Sequence, residues 1–113
     1  MVKVGKISLF DWFPFQKWRI VCSVEAADEI PEKIPLNGSV LVADHNHQKW
    51  LAFDCPCRSG HRIMLNLDKK HRPFWRISNE RSLSIHPSVD FETKDRRCHY
   101  YIKNGKIMWA HKR

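Results

Sequence analysis

The stretch Cys98-His-Tyr-Tyr-Ile-Lys-Asn-Gly-Lys-Ile-Met-Trp-Ala110 constrains the fold more than any other part of the chain. Asn104-Gly105 tolerates the positive φ angles of a two-residue reversal, and β-prone residues flank it on both sides, so the spacing predicts a tight hairpin. In His61-Arg-Ile-Met-Leu-Asn-Leu67, Ile63, Leu65 and Leu67 alternate with Arg62, Met64 and Asn66, the period of a half-buried strand. Segments 17–24, 37–44 and 49–55 are further extended runs, the last two separated by the polar turn His45-Asn46-His47-Gln48. Segments 73–78 and 81–86 flank Asn79-Glu80 as another hairpin, and Lys69 to Arg72 read as a connecting loop. Residues 25–35 are proline-bounded and hold no more than about one or two turns of helix. The expectation is a mainly β chain: a compact antiparallel sheet, or a small barrel or sandwich of hairpins, with at most one short helix. Residues 1–113 are expected to form a single domain, with an N-terminal strand and short helical segment in 1–37 and a β core over 40–110.

A chain of 113 residues builds one modest core, so a metal site in it would matter for stability. The formal net charge of +8 and pI of about 9.6 set up a positive field that favours nucleic acid, an anionic membrane surface or an acidic protein. No segment approaches the roughly 20 apolar residues that cross a bilayer, and the apolar opening at 7–15 is interrupted by Asp11 and Pro14. A cytoplasmic protein without a membrane partner is expected. Four cysteines without an export signal then point to metal binding, catalysis or burial rather than to a disulfide scaffold.

Two constellations carry chemistry. The first is Cys55-Pro-Cys57-Arg-Ser-Gly-His61. On an extended backbone Cys55 and Cys57 project from one side, Pro56 stiffens the link, and Gly60 permits a reversal that turns His61 toward the thiols. Zinc takes about four tetrahedral N or S ligands, so completion has to come from Cys98 or His99 at the mouth of the last hairpin. The plainer reading is a pair of partly buried reduced thiols beside a turn, and Cys22, inside an apolar run, reads as core. The second constellation is Ser88 after Pro87, with His99 at the start of the next strand. An antiparallel return brings hydroxyl and imidazole together, and a serine hydroxyl attacks acyl carbon once a base takes its proton and a third group orients that base. Asp90 or Glu92 is available for that third role. By itself Ser88 reads equally as a turn serine capping backbone groups. His86 and His111 read as strand-end residues, and His45 and His47 as exposed turn residues.

The order and spacing of CPCRSGHRIMLNL, HRPFWRI, SIHPSV and CHYYIKNGKIMWA resemble a small bacterial family. Its pattern is a CPCGCG-like knuckle followed by an I-x-L-N-L strand, an R-P-x-W strand, a P-S-[IV] segment and an S-H-[FY]-W-I hairpin ending in tryptophan. The resemblance spans roughly Val40 to Ala110. Members sit beside genes for ubiquitin-like proteins and for relatives of ubiquitin-activating and ubiquitin-conjugating enzymes, and in the Bub-type operons the family is regarded as a serine peptidase that trims or deconjugates the ubiquitin-like protein. The resemblance implies that partner set, with Ser88 as nucleophile, His99 as base and Cys55 and Cys57 as knuckle ligands. Three positions depart from the pattern: Ser59 replaces a knuckle cysteine, Cys98 replaces the serine before the hairpin histidine, and Arg96 stands where another cysteine is expected. Cys98 then either restores a ligand to the set Cys55, Cys57, His61 and Cys98, or the site goes without metal.

Two rival functions follow from the same residues. A zinc-knuckle module that binds nucleic acid draws on the charge and on Lys69-Lys-His-Arg-Pro-Phe-Trp-Arg-Ile77, where basic residues flank an aromatic able to stack on bases. Against this, Trp75 and Trp109 fall in period-2 patterns that read as strand packing. A metallohydrolase would instead use the metal to activate water, with Ser88 incidental.

Overall fold

The computed structural model describes residues 6–94 and 96–110; His111, expected at a strand end, lies outside the described residues. The chain is mainly β, in two open four-stranded sheets. The first has the order β1 (Arg19–Val24), β2 (Gly38–Asp44), β3 (His47–Asp54), β4 (Arg62–Asn66). The second has the order β5 (Arg76–Ser78), β6 (Ser84–Glu92), β7 (Arg97–Lys103), β8 (Lys106–Trp109). Turn chemistry sets the hairpins as expected: His45 and Asn46 link β2 to β3, and Asn104 and Gly105 link β7 to β8, all four with positive φ.

One pairing departs from the antiparallel rule. β1 runs parallel to β2, with Arg19 opposite Gly38 and Val24 opposite Val42. Parallel strands need a crossover, and residues 25–37 supply it, carrying the 3-10 turn Ala27–Glu29 and laying Ile34 over the outer face of the first sheet. β2 is therefore buried on both faces, which is why Val40, Leu41 and Val42 are a continuous apolar run. A second 3-10 turn, Leu9–Trp12, is capped reciprocally by Ser8 and Asp11. It is held by the buried Arg19, whose guanidinium donates to the Asp11 carboxylate at 3.3 Å, the Asp11 carbonyl at 2.6 Å and the Leu36 carbonyl at 3.2 Å.

The main core lies between the sheets. Leu51, Phe53, Ile63 and Leu65 from the first meet Ile85, Val89, Cys98, Tyr100 and Ile102 from the second and Leu83 from the loop before β6, with Trp18 edge-on to Phe53. Ile63, Leu65 and Leu67 are buried while Met64 is exposed, as the alternation requires. The chain just before β1 zips the sheets together: Trp18 N–H donates to Gly105 O at 2.9 Å, and Leu83 N–H to Trp18 O at 3.0 Å. Gly105 is needed twice here. Its φ is +80°, and a Cβ would stand 2.8 Å from Lys17 Cβ.

Candidate active site and metal centre

β7 carries one member of each constellation, Cys98 and His99, on opposite faces. Cys98, Tyr100 and Ile102 point into the core, so the period of 2 turns Arg97, His99 and Tyr101 outward. β6 would run in simple register with β7 but for a bulge: Ile85 pairs with Ile102 and Val89 with Tyr100, leaving His86, Pro87 and Ser88 to face Tyr101 alone. Extra residues on one strand re-aim its side chains, and a bulge also admits a proline, which cannot donate to the ladder. Ser88 thus lies within β6 rather than at a strand end, half-buried and on the outer face. Its Oγ is 2.9 Å from His99 Nε2.

Asp90 sits directly opposite His99. Because His99 O accepts from Ala110 N–H at 3.0 Å, the main-chain groups of His99 face β8. Asp90 and His99 are therefore a non-hydrogen-bonded pair, the type whose side chains come closest. Arg97 grips the Asp90 carboxylate in a fork, Nε to Oδ1 at 3.0 Å and an η-nitrogen to Oδ2 at 2.7 Å.

The contacts that hold the backbone at Ser88 were not read from the sequence. Trp75 Nε1 donates to the Ser88 carbonyl at 3.1 Å, so the ring pins the backbone of Ser88. Trp75 is placed in turn by its N–H, which donates to Asn66 O at 2.8 Å, and by the Asn66 side chain, which holds the 68–73 loop by donating to the carbonyls of Asp68, His71 and Pro73. The Asn-Leu and Pro-Phe-Trp pieces of the motifs are thereby joined in space. Half-buried and occupied by this hydrogen bond, Trp75 is not a free platform for a base, and Arg72 stacks on Phe74 rather than standing clear.

On the inner face, Cys55, Cys57, His61 and Cys98 offer ligand atoms that all lie within 4.8 Å of one another. The knuckle is a turn rather than an extended strand: Arg58 N–H donates to Cys55 O at 3.0 Å, and Arg58 and Gly60 both take positive φ. Curling, not a shared strand face, is what converges the two thiols. It also brings His61 Nε2 to 3.4 Å from Cys57 Sγ, while the imidazole stacks on Phe91 with ring centroids 4.6 Å apart. His99 faces the other way, so of the two candidates for the fourth position Cys98 is the one that joins the cluster.

The donor set fits a dication. Burial pushes the Cys55 thiol up, and burial together with the neighbouring Cys57 and Cys55 thiols pushes Cys98 up to about 12. At Cys57, burial also acts to raise, but hydrogen bonds from Ser59 and then from the Cys55 and Cys98 thiols outweigh it and hold the group below the ordinary thiol range. Alone, the cluster resists becoming three thiolates; a bound dication removes that obstacle by ionising coordinating thiols outright. The Tyr100 hydroxyl, wholly buried, has Cys55 Sγ at 3.8 Å as its partner. A donor aimed at a ligand sulfur is the usual outer shell of a thiolate site. The 98-100-102 alternation placed Tyr100 on the cysteine face, and that was the signal available for finding it.

No curated protein and no solved structure matches the chain. A family model described as the bacterial ubiquitination-like system serine protease (BubE) matches residues 26–110, a span that contains the Ser88–His99 pair and all four side chains of the Cys/His cluster. The chain belongs to the BubE family of serine proteases of bacterial ubiquitination-like systems.

Proposed function

We propose that this chain is a serine peptidase that processes or deconjugates a bacterial ubiquitin-like protein at its C-terminal tail, with Ser88 as nucleophile and His99 as general base. The observation that carries the reading is the 2.9 Å approach of Ser88 Oγ to His99 Nε2 on an outward strand face, in a chain of a serine protease family. With Nε2 as acceptor, Ser88 Oγ attacks the tail carbonyl and His99 takes the hydroxyl proton. As the tetrahedral intermediate collapses, the imidazolium gives that proton to the leaving amine, and the tail remains as an ester on Ser88. Water then attacks the ester, His99 takes its proton and returns it to Oγ, and the tail leaves as a carboxylate. Asp90, held by Arg97 across from His99, is the group we assign to orienting the imidazole.

The oxyanion-stabilising role needs donors beside Ser88, and the knuckle lies behind β7. We assign that role to main-chain N–H groups along β6 around Ser88, beyond the point at His86 where β5 stops pairing. Tyr101 and Met108, exposed beside His99 on the same face, offer an apolar floor for an extended tail.

Cys55, Cys57, His61 and Cys98 would hold zinc in a structural role. When bound, it supplies a cross-link between the β3–β4 turn and β7. Four protein donors complete a tetrahedral ion and leave no position for a reacting water, which speaks against a metal-activated hydrolase. No helix among the described residues is long and apolar enough to cross a membrane; we place the reaction in the cytoplasm, alongside the conjugating enzymes of the same system.

The test is to incubate the purified protein with the ubiquitin-like protein of its system, as extended precursor and as conjugate, and to follow cleavage by mass spectrometry. Release of the extension or target, abolished by Ser88→Ala, is expected. Undiminished cleavage by Ser88→Ala would contradict the reading.

A further inference from the structure

A further concavity lies away from the Ser88–His99 pair. It is a groove of about 1150 Å³ that runs between the knuckle, the 32–38 segment and β8. Neither Ser88 nor His99 lines it. Trp12 and Trp109 both line it; Trp109, whose period reads as strand packing, is 51% exposed with its ring edge-on to Tyr100.

β8 forms the edge of its sheet, and its main chain has a definite polarity. Ala110 N–H donates to His99 O, and in an antiparallel ladder the bonded residues alternate, so Lys106, Met108 and Ala110 face β7. Ile107 and Trp109 therefore direct their N–H and C=O outward, where no described residue pairs with them. The same two residues point their side chains into the groove. An uncovered edge is a template for another strand, and natural sheets usually blunt such edges. Here the free edge and the groove coincide.

Charge selects the occupant. Among the lining residues Arg62 is paired with Asp54 at 3.1 Å, which leaves Lys33, Arg58 and Lys106 against Glu32. We propose that β8 and this groove form a docking site for an extended acidic peptide segment of a protein partner. The segment adds as a strand to β8: its residues of one parity enter the groove beside Ile107 and Trp109, where a carboxylate meets Lys33 and Arg58, and those of the other parity lie on the opposite face, where a carboxylate meets Lys106. Main-chain bonds supply affinity and the alternate pockets supply selectivity. The site goes beyond the peptidase reading and does not depend on it.

Fluorescence anisotropy tests it on the full chain with three labelled probes: a short peptide alternating valine with glutamate, its valine–lysine counterpart, and oligothymidylate. Saturable binding of the glutamate peptide alone is expected, unchanged by Ser88→Ala. Ile107→Pro removes an outward N–H without touching the β7 ladder and should weaken binding by up to about tenfold, the worth of one net hydrogen bond. Should that variant fold poorly, the exposed Lys106→Glu serves instead: it should weaken the glutamate peptide and admit the lysine one. Failure of every probe to bind, tighter binding of oligothymidylate, indifference to both β8 variants, or loss of binding in Ser88→Ala would each overturn the proposal.

Discussion

The two faces of the β6–β7 ribbon use the same backbone for opposite purposes. Inward, Cys98 and Tyr100 join a thiol cluster in which burial pushes the Cys55 and Cys98 thiols up. Outward, one residue away, His99 meets Ser88 on a face open enough to admit a substrate. Because adjacent strand residues point to opposite sides, whatever stiffens Cys98 also stiffens His99, with no contact between the cluster and the substrate. The inner face should govern stability and the outer face reactivity, and variants on each should separate the two.

The largest separation is expected for Ser88→Ala. Peptidase rates should fall by about 10⁴ or more, as for loss of a triad serine, while the melting temperature stays put. A parallel loss of both would merge the two faces. Cys98→Ala should do the reverse. Metal content falls and unfolding free energy drops by more than about 3 kcal/mol, since a structural zinc site carries folding energy, and activity follows stability down. Denaturant titration with and without chelator reads this, and wild-type protein in chelator should behave like the variant.

Smaller effects sharpen the division. Trp75→Phe keeps the ring and removes the donor on the Ser88 carbonyl; misplacement of the nucleophile should cost about tenfold in kcat with metal content unchanged. Tyr100→Phe should weaken metal binding by about tenfold in chelator competition and leave kcat of the metal-loaded protein unaltered. Arg97→Ala, on an exposed ion pair, should leave the denaturation midpoint essentially unchanged, yet lower kcat by freeing the Asp90 carboxylate.

Much of this was legible along the chain because it is local. Asn104-Gly105 announced its hairpin, the 61–67 alternation announced which face of β4 is buried, and the four metal-ligand candidates are the four residues that cluster. What stayed hidden depends on contacts far apart in sequence. The parallel pairing of β1 with β2 leaves no mark in either strand, since direction is fixed by where the 25–37 crossover packs. The bulge at 86–88 is a property of β7's register as much as of β6. Trp75 announced burial but not its hydrogen bond to Ser88, and Trp109 has the period of a core residue while standing on an edge strand, where half of a large ring stays in water.

The reactive centre itself is tested most directly by covalent labelling. Exposure to a fluorophosphonate, which phosphonylates a serine only when a neighbouring base has activated it, followed by peptide mapping, should give one adduct on Ser88, absent in His99→Ala. An adduct on another serine, or labelling of Ser88 that persists without the imidazole, would contradict the account.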